Sequence, residues 1–243
     1  MARRPNIGIL LDYESDGSFS KRPHYALRTA YFDAIWKAGG TPIGIPYIAA
    51  AADEFTGLCD GFLFPGGFYP FPARLYGEPE CGPEVLHPRF KFEEHLMGHL
   101  IDENQPVLGV CAGMQVMAGL YGGTFYRNLH DHIETEIDHL NHRPAEQFAH
   151  GVDVVSGSHL HRVLGTTHMS VNTAHNEALN NNPEGLTINA IAEDGVVEGV
   201  EIPNKHFCLG VQWHPEFFAI DGDAHFNLFT ALVDASKQHS QRE

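Results

Sequence analysis

Val107-Leu-Gly-Val-Cys-Ala-Gly-Met-Gln115 is the stretch from which the fold of this 243-residue chain can be read. Val107, Leu108 and Val110 form an apolar run without polar alternation, as in a strand covered on both faces. The run ends in Gly109-Val110-Cys111-Ala112-Gly113, and a helical segment follows. A strand that passes into a helix through Gly-x-nucleophile-x-Gly turns sharply and presents the middle side chain at its crest. The helix N-terminus favours thiolate over thiol at Cys111, and the Ala112 N–H would face the oxygen of a tetrahedral intermediate. A cysteine that merely packs at a tight turn fits the same local pattern, because free Cys behaves as a small hydrophobe.

On either side of this stretch the chain alternates between strand and helix patterns. Residues 7–11 read as a buried strand and residues 12–21 as a polar loop. Residues 25–38 carry Leu27, Ala30, Tyr31, Ala34, Ile35 and Ala38 at helical spacing, stopped by Gly39-Gly40. Strands are expected at 43–45 and 61–64, with a short helix at 50–58 between them. Residues 68–88, rich in Pro and Gly, predict a surface excursion. Residues 90–103 place Phe92, Leu96 and Leu100 on one helical face ahead of the strand at 106–110. Such alternation implies a parallel sheet with helices on both sides. Beyond about residue 124 the pattern becomes β-rich, over 151–164 and 186–212, with Asp194-Gly195 as a hairpin turn. A last helix over 224–237 aligns Phe226, Phe229 and Val233. No repeat or linker divides the chain, so one domain over 1–243 is expected.

Charge narrows the function classes. The chain holds 15 Lys+Arg against 31 Asp+Glu, a formal charge of -16. So acidic a surface repels phosphate backbones and anionic lipid, which argues against nucleic-acid or membrane partners. Cys59, Cys81, Cys111 and Cys208 stand far apart with no CxxC pair, which suits a reducing, cytoplasmic compartment. The apolar run at 7–11 is too short for a signal-peptide core.

Two further strand ends point to the same chemistry. In Gly210-Val-Gln-Trp-His-Pro-Glu216, Pro215 disfavours helical geometry at His214. In an extended segment, side chains two apart leave the same side. Glu216 can then accept one ring N–H of His214 and turn the other nitrogen toward a thiol, giving the nucleophile, base and orienting acid of acyl transfer. A surface His-Pro turn is the plain alternative, since the chain holds 17 histidines. Pro65-Gly66-Gly67 follows a strand as well, and adjacent glycines let backbone N–H groups face a ligand oxygen.

Together these residues resemble the class I glutamine amidotransferase domain, and within it the γ-glutamyl-γ-aminobutyrate hydrolase branch of the peptidase C26-like proteins. The resemblance runs through Tyr25, Ala38-Gly39-Gly40 with Pro42, Cys59-Asp60-Gly61, Gly66-Gly67 and Leu75-Tyr76-Gly77. It continues through residues 106–115, Gly122-Gly123-Thr124, Val171-Asn172 with His175, Asp194-Gly195 with Glu198, and residues 211–216. It implies a flavodoxin-like α/β fold, a central mostly parallel sheet flanked by helices, with an added β-rich portion. It also implies cysteine-dependent hydrolysis of a small γ-glutamyl amide through a glutamyl thioester, without cofactor or metal. Cys111, His214 and Glu216 would be the triad, and Gly67 and Ala112 the oxyanion donors. Gln115, Val171, Asn172, Thr173 and His175 would lie near the glutamyl head group.

Two departures from the family pattern bear on the amine that leaves. Ala112 stands where relatives often have Arg, and Phe68-Tyr69-Pro70-Phe71-Pro72 replaces the usual Asp-Val-x-Pro. Phe68 and Tyr69, with Asp12 and Glu14 after the first strand, are therefore placed on the leaving-group side. The aromatic rings favour an amine with a hydrophobic portion, while the acidic loop at 12–14 would favour a cationic one. His130, His132, His139 and His142 crowd one stretch with several acids, but no HExxH or Cys/His zinc spacing is present and no metal is expected. A glutaminase subunit that feeds ammonia to a separate synthetase, and a non-catalytic binding protein on the same fold, stay open. Self-association into a homo-oligomer also stays open.

Overall fold

The computed structural model describes residues 3–79, 85–141 and 143–241. Cys81 and His142, singled out above, lie outside the described residues. In chain order the elements are β1 (Asn6–Leu10), β2 (Asp12–Glu14), β3 (His24–Ala26), α1 (Thr29–Lys37), β4 (Thr41–Ile45), α2 (Ala52–Leu58) and β5 (Gly61–Phe64). Then come α3 (Pro88–Asp102), β6 (Val107–Val110), α4 (Ala112–Leu120), β7 (Phe125–Tyr126), β8 (His150–Val154), α5 (His159–Leu164) and β9 (His168–Val171). The chain closes with β10 (Ala178–Leu179), β11 (Thr187–Ala192), β12 (Val197–Glu201), β13 (Cys208–Val211) and α6 (Asn227–His239).

One nine-stranded sheet organises the molecule, in the order β4-β1-β5-β6-β13-β12-β11-β8-β9. The stretch from β4 to β13 is parallel. From β13 to β9 every pairing is antiparallel. Most of the β-rich portion thus extends the central sheet, while β7 and β10 pair as a separate two-stranded sheet. Burial on both faces accounts for the unbroken apolar runs. Leu63, Leu108 and Val110 pack with Tyr31, Phe229 and Val233 on one face. Phe62, Phe64 and Val107 pack with Phe92, Leu96, Met114 and Val116 on the other. No helix among the described residues is long and apolar enough to cross a membrane.

Three expectations need correction, and the excursion expected after residue 67 gains an anchor. Residues 12–26 form the β2–β3 hairpin rather than a loop leading into a helix, and α1 begins only at Thr29. Tyr13 and Tyr25 pair across that hairpin with ring centroids 6.1 Å apart, and Tyr47 closes on both. Cross-strand aromatic packing of this kind overrides the helical spacing of Tyr25 and Leu27. Residues 159–164 are helix, because Ser158 caps the His161 N–H at 3.0 Å and the Glu201 carboxylate accepts from His159 and Leu160 N–H. The excursion after residue 67 is anchored, since Phe71 and Leu75 are buried in the core. Finally, Pro215–Phe218 is a 3-10 turn, so Glu216 reaches His214 around a turn and not along a strand.

Candidate active site

The parallel strands β1, β5, β6 and β13 all deliver their carboxyl ends to one edge, the usual ligand edge of an open α/β sheet. Asp12, Gly66-Gly67, Cys111 and His214 follow those four strands in turn. β6 and β13 are paired at Val110 and Val211, and the Cys111 N–H donates to the Val211 carbonyl at 2.8 Å. That register puts the cysteine beside Gln212, two residues before His214.

Cys111 has φ 51° and ψ -107°, a backbone state that costs an L residue about 1–3 kcal/mol. The elbow is therefore held by its surroundings. A Cβ on Gly113 would overlap the Phe64 carbonyl oxygen of the neighbouring strand. A Cβ on Gly66 would stand 2.6 Å from His214 Cε1 and 3.2 Å from Cys111 Cβ. Only glycine lets the loop pass this close to the pair.

His214 Nδ1–H donates to Glu216 Oε1 at 2.8 Å, and both side chains are buried. Burial alone would lower the His214 pKa, but the charge of Glu216 and the neighbouring Cys111 overcome it and raise it to about 10. The ring therefore holds its second proton at neutral pH. By contrast, burial pushes the thiols of Cys59 and Cys208 up, which leaves them unreactive.

Several residues that hold this arrangement carried no signal in the sequence. Tyr31, on the buried face of α1, accepts the Gly66 N–H at 3.0 Å and lies 3.5 Å from His214 Nδ1. Burial, then the adjacent Glu216 charge, keep its phenol protonated. Arg28 places a guanidinium nitrogen 3.6 Å from Glu216 Oε1. Gln212 Nε2–H points at Cys111 Sγ from 3.5 Å, while its Oε1 accepts from Gln115. Asn172, to which the resemblance did point, clamps the His214 backbone, accepting its N–H at 2.9 Å and donating to its carbonyl at 3.0 Å.

Arg89 on α3 is the least expected. Fully buried, it donates to the carbonyls of Pro65 and Gly66 and to Glu93 Oε2 at 3.0 Å, and it lies 3.2 Å from Asp12 Oδ1. A trans peptide directs its C=O and N–H oppositely. With the Gly66 carbonyl drawn to Arg89, the Gly67 N–H is aimed away from it.

The remaining expected residues divide. Asp12, Glu14 and Phe68 line a cavity of about 540 Å³ with Tyr13, Arg28, Tyr31, His87 and Gly66-Gly67. Tyr69 lies under Arg89 and donates to Glu93 at 2.6 Å, but with Phe68 and Gly67 it also lines a narrow pocket against Cys111, Gln115 and His175. Thr173 faces a neighbouring hollow beside His214, although its hydroxyl is bonded to the His139 carbonyl. Val171 is fully buried in the core, and both ring nitrogens of His175 are engaged, one by the Glu177 carbonyl and one by Glu198.

The peptidase C26 family model matches residues 5–216. The chain belongs to the peptidase C26 family. A Rickettsia prowazekii protein named as glutamine amidotransferase-like is 29% identical, over 98% of this chain and 99% of its own. The γ-glutamyl-γ-aminobutyrate hydrolase of Escherichia coli K12 is 29% identical over 88% of this chain and 87% of its own. Among solved structures, the glutaminase domain of Trypanosoma brucei CTPS, with bound acivicin, superposes with a TM-score of 0.62. It covers 95% of this chain and 94% of that domain at 18% identity, so the likeness fixes the fold. This C26 chain has the class I glutamine amidotransferase fold.

Proposed function

We propose that the protein hydrolyses γ-glutamyl amides with Cys111 as nucleophile, His214 as acid and base, and Glu216 as the group that orients and charges the histidine. The observation that carries this reading is the buried His214 ring, hydrogen-bonded to Glu216 at 2.8 Å and charged by Glu216 and Cys111 together. An imidazolium beside the sulfur holds the proton that the departing amine needs. Cys111 Sγ adds to the γ-carbonyl carbon, and the Gly67 and Ala112 N–H groups receive the oxyanion. The bond to nitrogen breaks as His214 gives its proton to the departing amine. Water, deprotonated by His214, then cleaves the thioester and frees glutamate.

Gln115 and the 172–174 segment flank Cys111 on the side assigned to the glutamyl head group. The amine leaves toward the larger cavity. There Asp12 is already paired with Arg89, so the walls offered to the amine are Tyr13, Leu27 and Phe68, with Glu14 at the margin. An amine with a hydrophobic portion fits those walls.

The test is glutamate release, followed by mass spectrometry, from γ-glutamyl conjugates of an aromatic amine, γ-aminobutyrate and a diamine, with glutamine beside them. Parent protein is expected to prefer the aromatic conjugate, and Phe68→Ala to erase that preference. Faster release from glutamine than from every conjugate would instead support an ammonia-delivering glutaminase. A preference for the γ-aminobutyrate conjugate that ignores Phe68→Ala would refute the assignment of the amine.

A further inference from the structure

Behind the pocket three imidazoles converge on one carboxylate that the reaction does not use. Glu198 Oε1 lies 3.4 Å from His139 Nδ1, 3.6 Å from His150 Nε2 and 3.2 Å from His175 Nε2. All four side chains are buried. The opposite nitrogen of each ring faces an acceptor: Asp194 Oδ2 at 2.9 Å from His139 Nε2, the Gly151 carbonyl at 3.1 Å from His150 Nδ1, and the Glu177 carbonyl at 3.0 Å from His175 Nδ1.

A neutral imidazole carries one N–H. If each ring donates outward, three lone pairs are left facing Glu198, and lone pairs facing a carboxylate repel it. His139 Nδ1 and His150 Nε2 have no hydrogen-bond partner, and neither has Glu198 Oε2. Protonating two rings balances Asp194 and Glu198 but leaves the third ring with a lone pair facing an acceptor, and protonating all three leaves one net positive charge in a buried cluster. Unbalanced buried charge is costly. A divalent cation removes both difficulties. Three neutral rings, two carboxylates and one such ion sum to zero, and the inner lone pairs become ligands.

The spacing agrees. Metal–nitrogen and metal–oxygen bonds of about 2.0–2.2 Å put the corners of a tetrahedron roughly 3.3–3.6 Å apart. The separations from Glu198 Oε1 are 3.2–3.6 Å, and the inward atoms of His139, His150 and Glu198 all lie within 4.8 Å of one another, while His175 stands outside that mutual group and meets it at Glu198 Oε1. The outer acceptors match the way metal-bound histidines are held, with the second ring N–H given to a carboxylate or a carbonyl. Imidazole-rich sets of four suit zinc rather than magnesium or calcium.

We propose that His139, His150, His175 and Glu198 form a structural zinc site. Once the His175 ring closes in as the fourth ligand no open position is left, so the ion would do no chemistry and would instead tie together four separate segments. The His139 carbonyl accepts from Thr173 Oγ1 and from the His175 N–H, and the Glu198 carbonyl accepts from Gln212 N–H. The ion would therefore brace the wall that carries residues 172–177 and the strand end beside Cys111. No short motif marks it, because the ligands are spread from 139 to 198, and its presence would reverse the expectation of a metal-free protein.

The test uses full-length Cys111→Ala, so that no catalytic thiolate can hold the ion and the result does not depend on the proposed hydrolysis. Protein stripped with chelator is dialysed against zinc sulfate, and metal content and Tm are measured. One equivalent of zinc and a Tm higher by about 5–15 °C are expected. Cobalt in its place should give the intense visible bands of a tetrahedral site. His150→Ala and Glu198→Gln, added singly, should lose the equivalent, while a change at the exposed His95 of α3, His95→Ala, should keep it. Substoichiometric zinc with an unchanged Tm in the Cys111→Ala chain overturns the proposal without recourse to the ligand variants, and so does an equivalent that survives both of them.

Discussion

His214 is a buried histidine pressed between a carboxylate and a thiol, and that position sets its charge. Its pKa rises from the usual 6.5 to about 10 because Glu216 and Cys111 outweigh the burial that would lower it. The stability gained from the charged ring is whole below about 6.5, the unfolded value, and is lost as pH climbs through about 10. Glu216→Gln removes the main opposing charge, so the ring pKa should fall, which histidine NMR reads directly. Urea titrations between about pH 7 and 10 should show a shallower loss of stability than in the parent. Acylation should slow by about 10²–10⁴-fold with little change in substrate binding. An unshifted ring pKa and an unchanged kcat would remove Glu216 from the triad. Tyr31→Phe leaves the Gly66 N–H buried without its acceptor, a loss of about 1–3 kcal/mol, and should lower kcat about tenfold or more through the displaced loop. Equal kcat in Tyr31→Phe would show that the phenol only packs. The proposed triad could be read from the sequence because each member sits in a short motif at a strand end. Tyr31, Arg28 and Gln212 were not, since an apolar helix face or a strand end gives no sign of a partner far along the chain.

At the scale of elements, one helix side chain fixes the loop that follows β5. Arg89 and Glu93 are i,i+4 on α3, both fully buried, and Arg89 alone reaches the Pro65 and Gly66 carbonyls. Arg89→Met should cost about 3–5 kcal/mol, because it strands the Glu93 charge. Arg89→Met/Glu93→Leu should recover most of that stability in urea denaturation and none of the activity, since the two carbonyls still lack their donor. Activity that returns together with stability would reduce the pair to a packing role. On sequence, 90–103 reads as an ordinary amphipathic helix that begins after Arg89, and nothing in that reading marks Arg89 or Glu93. The β2–β3 hairpin and α5 were missed for a related reason. The first is made by tyrosines from three segments, and the second depends on Glu201, a residue of distant β12.

Over the whole molecule, the strand–helix alternation before residue 124 was enough to give a parallel sheet, while the remainder gave only an added β-rich portion with one hairpin turn, not its place as an antiparallel extension of the same sheet. Neither pattern could say that the two meet at β13, where a late strand inserts beside β6 and carries His214 to Cys111. That one pairing turns two distant motifs into a site, and the central claim is that the site makes a glutamyl thioester. The direct measurement is to quench the parent protein during turnover of a γ-glutamyl amide and read the Cys111 peptide by mass spectrometry. That peptide should gain one glutamyl residue, the adduct should discharge as glutamate appears, and Cys111→Ala should neither carry it nor release glutamate. Glutamate released by Cys111→Ala at the parent's rate, or an adduct on any other residue, would contradict it.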